Sequence, residues 1–234
     1  MGYNVMDSKA TAEGEIPLSD FFQVFFHSAE MIGTVAFAAS GAFLAIDREM
    51  DLFGVIFLGV ITAVGGGILR DVLLGVTPPG AFVSPTYTVV AIFTALVVFL
   101  LAELLNHGYW ANIQRVDRAF NLLDAIGLGA FSVVGVQTAV GRGFLGNGFL
   151  CVVMGMTTGV VGGILRDVLG GITPAVLRKR IYAVASLMGA WLYYELTRLN
   201  VDGSASVLAG MGLTLAIRML AAHYQWRLPK VPHP

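Results

Sequence analysis

Eighteen residues occur twice in this chain. Ile61–Pro78 read ITAVGGGILRDVLLGVTP and Thr157–Pro174 read TTGVVGGILRDVLGGITP, with 13 of the 18 positions identical at a constant offset of 96. The match extends upstream at an offset of 94, where Glu30, Gly33, Ala36, Phe37 and Gly41 align with Asp124, Gly127, Ala130, Phe131 and Gly135. Self-similarity of this kind means that the chain is built from two copies of one supersecondary unit.

The unit is made of membrane-length helices. Of 234 residues, 56% are hydrophobic and 12% charged, whereas a soluble domain carries roughly 25% charged residues. The apolar residues fall in seven runs, Phe21–Ile46, Leu52–Leu74, Tyr87–Leu105, Ala119–Val140, Phe144–Leu169, Ile181–Thr197 and Ser204–His223. A transmembrane helix needs about 20 such residues. The breaks carry charge or turn chemistry, as at Asp47-Arg48-Glu49, Thr77-Pro78-Pro79-Gly80 and Asn200-Val201-Asp202-Gly203, where proline and glycine end helices. The expected fold is therefore an all-α integral membrane protein of seven transmembrane helices. Residues 1–20 are a polar, acidic tail without the pattern of a cleaved signal, and residues 224–234 form a proline-bearing C-terminal tail.

The first repeat covers helices 1–3 over residues 21–105 and the second covers helices 4–6 over residues 119–197, with helix 7 at 204–223 left over. Three is odd, so the second copy must enter from the opposite face, giving a pseudo-two-fold axis in the membrane plane. Lys and Arg decide the orientation. The side of the N-terminus holds Lys9, Arg142 and Arg198; the other holds Arg48, Arg115, Arg118, Arg178, Lys179, Arg180, Arg227 and Lys230. The positive-inside rule puts the second side in the cytoplasm, with the N-terminus outside and the C-terminus inside a cell membrane.

The repeated motif carries two kinds of chemistry. Gly65-Gly66-Gly67 and Gly162-Gly163 sit near the middle of helices 2 and 5. Helix-interior glycines each cost about 1 kcal/mol relative to alanine, and they invite a kink or break that must face protein or a watery cavity. Freed carbonyls there could coordinate a cation. Small residues spaced by four, Gly59-Ala63-Gly67 and Gly155-Gly159-Gly163, equally allow close helix packing. Arg70-Asp71 and Arg166-Asp167 follow directly. Ionisable groups in a span face the interior or water, as structural ion pairs or as field-shaping groups at the two mouths of a pore. Adjacent residues do not share a helix face, so Arg70 is expected to bridge to another helix rather than to Asp71.

Glu30 and Asp124 are equivalent positions. Asp124 reads as a charge near the start of helix 4, and Glu30, deeper in helix 1, as the better cation-attracting carboxylate, with His27 one turn earlier as its hydrogen-bond partner. Arg178-Lys179-Arg180 is a small basic cluster, a topology determinant with a weaker claim to contact anionic lipid headgroups.

Several classes drop out. The net charge of −1 gives no basic field for nucleic acid. Lone Cys151 and four scattered histidines make no metal spacing. Gly65-Gly66-Gly67 is not followed by Lys-Ser/Thr, so it is no phosphate loop. No nucleophile–base arrangement points to an enzyme, and no cofactor is expected.

The doubled Gly-Gly-Ile-Leu-Arg-Asp-Val-Leu motif, in two three-helix repeats plus a seventh helix, resembles the prokaryotic TRIC family of trimeric intracellular cation channels, also grouped as a "glycine transporter" domain family. The resemblance covers nearly all of residues 21–223. It implies a homotrimer in which each subunit holds its own pore, conducting monovalent cations, chiefly potassium, and lined by kinked helices 2 and 5. Carried over by position, the pore residues are Gly65, Gly66, Gly67, Gly162 and Gly163, with Arg70, Asp71, Arg166 and Asp167 alongside. Val161 replaces the first glycine of the triplet in the second repeat. Two other readings stand beside the channel. Inverted repeats with broken helices suit a secondary transporter of a small solute such as glycine equally well, and a purely structural membrane protein would move nothing.

Overall fold

The computed structural model describes residues 20–104, 113–178, 181–224 and 226. Seven long helices account for most of them: α1 (Asp20–Asp47), α2 (Leu52–Leu73), α3 (Thr86–Leu104), α4 (Ile113–Gly141), α5 (Gly148–Leu169), α6 (Tyr182–Arg198) and α7 (Gly203–His223). Single helical turns at Gly80–Val83 and Ala175–Arg178 follow α2 and α5, and a 3₁₀ turn at Phe144–Gly146 precedes α5. Six of the seven are long and apolar enough to cross a membrane; α6, at 17 residues, is the exception. The protein is thus an all-helical, multi-pass membrane protein. The apolar runs locate every helix, although α4 begins at Ile113, six residues before the expected Ala119.

The two copies of the motif make the same local structure. Asp51 caps α2 by accepting from the Gly54 amide at 2.8 Å, and Asn147, 96 positions later, caps α5 by accepting from the Leu150 amide at 3.1 Å. At the other end Gly75 and Gly171 adopt φ of +73° and +70°. That left-handed conformation ends a helix and suits glycine, which has no Cβ to clash. The amides of Val76 and Ile172 then return to the carbonyls of Asp71 and Asp167 at 2.8 and 2.9 Å.

Packing repeats as well. Within each copy every helix touches the other two: α1, α2 and α3 in the first, α4, α5 and α6 in the second, with α7 laid on α4 and α6. A Cβ on Gly41 would meet Thr62 Oγ1, Leu58 O and Gly59 Cα; on Gly135 it would meet the equivalents Thr158 Oγ1, Met154 O and Gly155 Cα. Between copies, α1 lies on α4 and α2 on α5. Gly33 faces Phe131 while Gly127 faces Phe37, and the two phenyl rings meet edge to face at 5.2 Å. Gly66 faces the carbonyl of Thr158 while Gly162 faces that of Thr62. Earlier residues of one helix meet later residues of the other, so both pairs run antiparallel, and equivalent positions exchange contacts.

The core is mostly small. α1 buries Ala36, Ala38, Ala39, Ala42 and Ala45, which lets its neighbours approach closely. α3 buries only Ala91 and Ala95 and turns Val89, Phe93, Leu100 and Leu104 outward. So broad an apolar outer face belongs in lipid rather than water.

Candidate functional site

Both glycine runs stay within uninterrupted α-helix. Of the kink or break expected at Gly65-Gly66-Gly67 and Gly162-Gly163, no break is present, and the glycines provide the close approach that their spacing also allowed. Any Cβ on Gly66 or Gly162 would collide with a backbone carbonyl of the opposite copy, and one on Gly65 would collide with Leu165 Cδ1. Gly67 is different. A Cβ there would meet only Arg70 Nη2, at 3.7 Å, so this position faces open space. Its equivalent, Gly163, has the same relation to Arg166 Nη2 at 3.7 Å, but Tyr182 Oη fills the space at 2.8 Å.

The Arg-Asp pair that ends the motif is an anchor. Asp71 Oδ1 accepts from Arg70 Nε at 2.9 Å and Nη2 at 2.8 Å, while Oδ2 accepts from the Gly80 amide at 2.8 Å. Arg70 therefore pairs with its neighbour, contrary to the expected bridge to another helix. The loop amide holds the carboxylate beside the helix end, where a long guanidinium can curl round to reach it. Asp167 repeats the arrangement, taking Arg166 Nε at 2.9 Å on Oδ1 and the Ala175 amide at 2.6 Å on Oδ2. Each aspartate thus ties the loop after its helix to an adjacent arginine.

Beyond that shared anchor the copies diverge. Arg166, 1% exposed, also donates from Nη1 to Asp124 Oδ1 at 2.7 Å and to Ser40 Oγ, and its guanidinium lies 4.7 Å above the Phe120 ring. Tyr182 donates to Asp124 Oδ1 at 3.0 Å. Arg218 of α7 approaches Asp124 Oδ2 at 3.4 Å and stacks 4.6 Å over Tyr182. Groups from α5, α6 and α7 converge on this one carboxylate of α4, and Ser40 of α1 accepts from the guanidinium paired with it. Asp124 lies about three turns into α4, so it is no helix-terminal charge; it is 2% exposed and needs these partners to be held there.

The equivalent carboxylate, Glu30, has gentler company. Tyr87 of α3 donates to Glu30 Oε2, and His27 Nδ1 lies 3.1 Å from the same oxygen and 3.3 Å from Tyr87 Oη. His27 is thus the hydrogen-bond partner expected from the sequence. The Glu30 side chain is 17% exposed and that of His27 64%. Among the described residues no guanidinium reaches Glu30.

Most sequence-named residues are therefore gathered into two clusters, one at each end of the α2–α5 crossing: Glu30, Gly67, Arg70 and Asp71 of the first copy, and Asp124, Gly163, Arg166 and Asp167 of the second. Lys179 and Arg180 lie outside the described residues, as does the side chain of Arg178. Sequence reasoning missed Arg218, Tyr87, Tyr182 and Ser40. Arg218 is the lone cation within the apolar run 204–223, and the tyrosines correspond at an offset of 95, one away from that of the motif. Either signal was available. Among the described residues no cluster of His, Cys, Asp and Glu could hold a metal.

The chain is similar to known proteins over most of its length. A family model described as "Glycine transporter" matches residues 27–103 and 121–198. The inner membrane protein YadS of Escherichia coli is 38% identical over 205 residues, covering 86% of this chain and 93% of its own length. A membrane protein of Deinococcus radiodurans is 38% identical over 207 residues, 87% of this chain and 90% of that one. Among solved structures, the trimeric intracellular cation channel orthologue from Rhodobacter sphaeroides superposes with a TM-score of 0.76 at 32% identity, over 86% of this chain and 98% of that one. A prokaryotic TRIC channel solved in 0.5 M KCl superposes with a TM-score of 0.78 at 30% identity, over 88% of this chain and all of that one.

Proposed function

The chain belongs to the TRIC family, and from that premise we propose that it is a monovalent cation channel conducting chiefly potassium. The observation that carries this reading is the match to solved cation channels over 98–100% of their length at 30–34% identity. In the proposed channel all seven helices cross the cell membrane, α6 included, since 17 residues sit at the short end of what spans a bilayer. The two repeats lie in opposite orientations, a reading supported by the antiparallel α1–α4 and α2–α5 pairs. The N-terminus is outside and the C-terminus cytoplasmic, the side to which Arg178, Lys179 and Arg180 belong as topology determinants. Three copies assemble, as the relatives' description as trimeric suggests, and each holds its own path.

We place that path along the α2–α5 crossing, from Glu30 and Gly67 at the outer end to Gly163 and Asp124 at the inner. Arg70, Asp71, Arg166 and Asp167 flank it. Gly66 and Gly162 hold the two helices close enough to form its wall. A cation at the bilayer centre needs a polar, water-bearing route, and the motif lies where the two copies meet, as in other repeat-built transport proteins. The description "Glycine transporter" favours a second reading, a secondary transporter of a small solute such as glycine.

Current across planar bilayers containing the purified protein, in a potassium gradient, separates the two. Discrete steps reversing near the potassium potential, lost in Gly67→Leu, support the channel. That variant adds bulk at a position where a Cβ meets only Arg70 Nη2, at 3.7 Å. Silent bilayers, with saturable glycine uptake into proteoliposomes, would overturn the channel in favour of the transporter.

A further inference from the structure

The two pseudo-equivalent clusters differ in charge, and the difference comes from outside the repeats. In the second copy the carboxylates of Asp124 and Asp167 meet two guanidiniums, Arg166 and Arg218. In the first, the carboxylates of Glu30 and Asp71 meet one, Arg70, and it is engaged with Asp71. The described partners of Glu30 are a tyrosine hydroxyl and a histidine. Arg218 has no counterpart in the first copy because α7 belongs to neither repeat. It is 4% exposed, reaches Asp124 only at 3.4 Å, and its Nε has no acceptor among the described residues. A buried guanidinium that loosely held is poorly explained as a stabilising ion pair, since burial without full hydrogen bonding is costly. The space follows the charge, being open beside Gly67 and filled by Tyr182 beside Gly163.

We propose that Arg218 of α7 is a permeation-determining residue, which cancels the charge of Asp124 and leaves Glu30 as the uncompensated carboxylate, so that the pore has one cation-attracting mouth and one neutral mouth and conducts asymmetrically. This rests on the channel reading. Arg218 acts through Asp124 and is a positioning residue for the field rather than a ligand of the ion. Current is larger when cations enter past Glu30. A unit charge roughly 5 Å from the path changes local cation occupancy about fourfold in water-like surroundings. Screening shortens the reach of such a charge from about 10 Å at 0.1 M salt to about 3 Å at 1 M.

Single-channel recording in symmetric KCl tests this, because each molecule shows its own asymmetry whichever way it has inserted. Wild type is expected to pass roughly two- to fourfold more current at one polarity in about 0.1 M KCl, with the ratio approaching one in about 1 M. Arg218→Gln, which frees the charge of Asp124, should raise the smaller branch. Glu30→Gln should lower the larger branch. Both move the ratio toward one from opposite directions, and Arg218→Lys, which keeps the charge, should preserve it. A purely structural role would instead make Arg218→Lys and Arg218→Gln fail together, without changing the shape of the current–voltage curve. Wild-type channels that conduct symmetrically at low salt, or a ratio unmoved by Glu30→Gln, overturn the inference and leave the channel reading standing. Absence of any current overturns the channel reading itself. Should Arg218→Gln fail to fold, Glu30→Gln and the salt dependence still decide.

Discussion

Replacing Gly66 by alanine sets two effects against each other, and the structure decides the sign. Alanine in a helix interior is worth about 1 kcal/mol more than glycine. Against this, the new methyl would lie 3.1 Å from the carbonyl carbon of Thr158 and inside contact distance of its oxygen. The obstacle is backbone, so no rotamer change relieves it and α2 must move away from α5. Overpacking of this kind costs about 1–3 kcal/mol, and the loosened crossing adds to it, for a net loss of about 1–2 kcal/mol. At roughly 2–4 °C per kcal/mol for a chain of this size, the melting temperature should fall by about 2–8 °C. Gly162→Ala meets Thr62 O in the mirror relation and should behave alike. The double variant should cost less than the sum, because the first substitution already separates the helices for the second. Gly67→Ala is the control, gaining helix propensity with only Arg70 Nη2 nearby at 3.7 Å, so it should melt at or above wild type. Thermal unfolding in detergent, followed by far-ultraviolet circular dichroism, measures all four. If Gly66→Ala melts with wild type, or if Gly67→Ala is the less stable of the two, the close-approach account of the glycines is wrong.

Three further outcomes follow from the same geometry. Asp124→Ala leaves Arg166 and Arg218 buried without their shared carboxylate, and should destabilise by about 3–5 kcal/mol, visible as collapse of the monodisperse peak in size-exclusion chromatography. Glu30→Ala, at a partly exposed carboxylate that no described guanidinium reaches, should leave that peak intact. Gly75→Ala and Gly171→Ala meet no atom within 4 Å, so their cost is dihedral strain alone, about 1–2 kcal/mol and equal at the two sites by chemical denaturation. Unequal losses would mean that the two copies do not end their helices in the same way.

Helix spans were legible because their causes are local. A run of apolar residues and the charged, proline and glycine residues that break it act within a few positions, and the doubled motif repeated the signal. The alignment of Glu30 with Asp124 also located both carboxylates, and the spacing of His27 identified its partner. The helix break read from the glycines failed because glycine weakness can be outweighed by packing. A partner helix seated on Gly66 and Gly162 holds the ladder that isolated glycines would loosen. The bridge expected from Arg70 failed because a loop amide ten residues on, at Gly80, holds Asp71 where the arginine can reach it.

By itself, then, the sequence determined that the chain enters a membrane, that it is built twice, roughly where each helix lies, and that glycines and an Arg-Asp pair recur in both copies. Which charge answers which was settled only in three dimensions. Asp124 takes its partners from positions 42, 58 and 94 residues away, and apolar helices of similar composition carry no local mark of which face will meet which. A Coulomb interaction depends on distance in space and on what water is excluded. The two copies of one motif therefore became different sites when Arg166 reached Asp124, as Arg70 does not reach Glu30, and when α7, which neither repeat contains, was packed against the second.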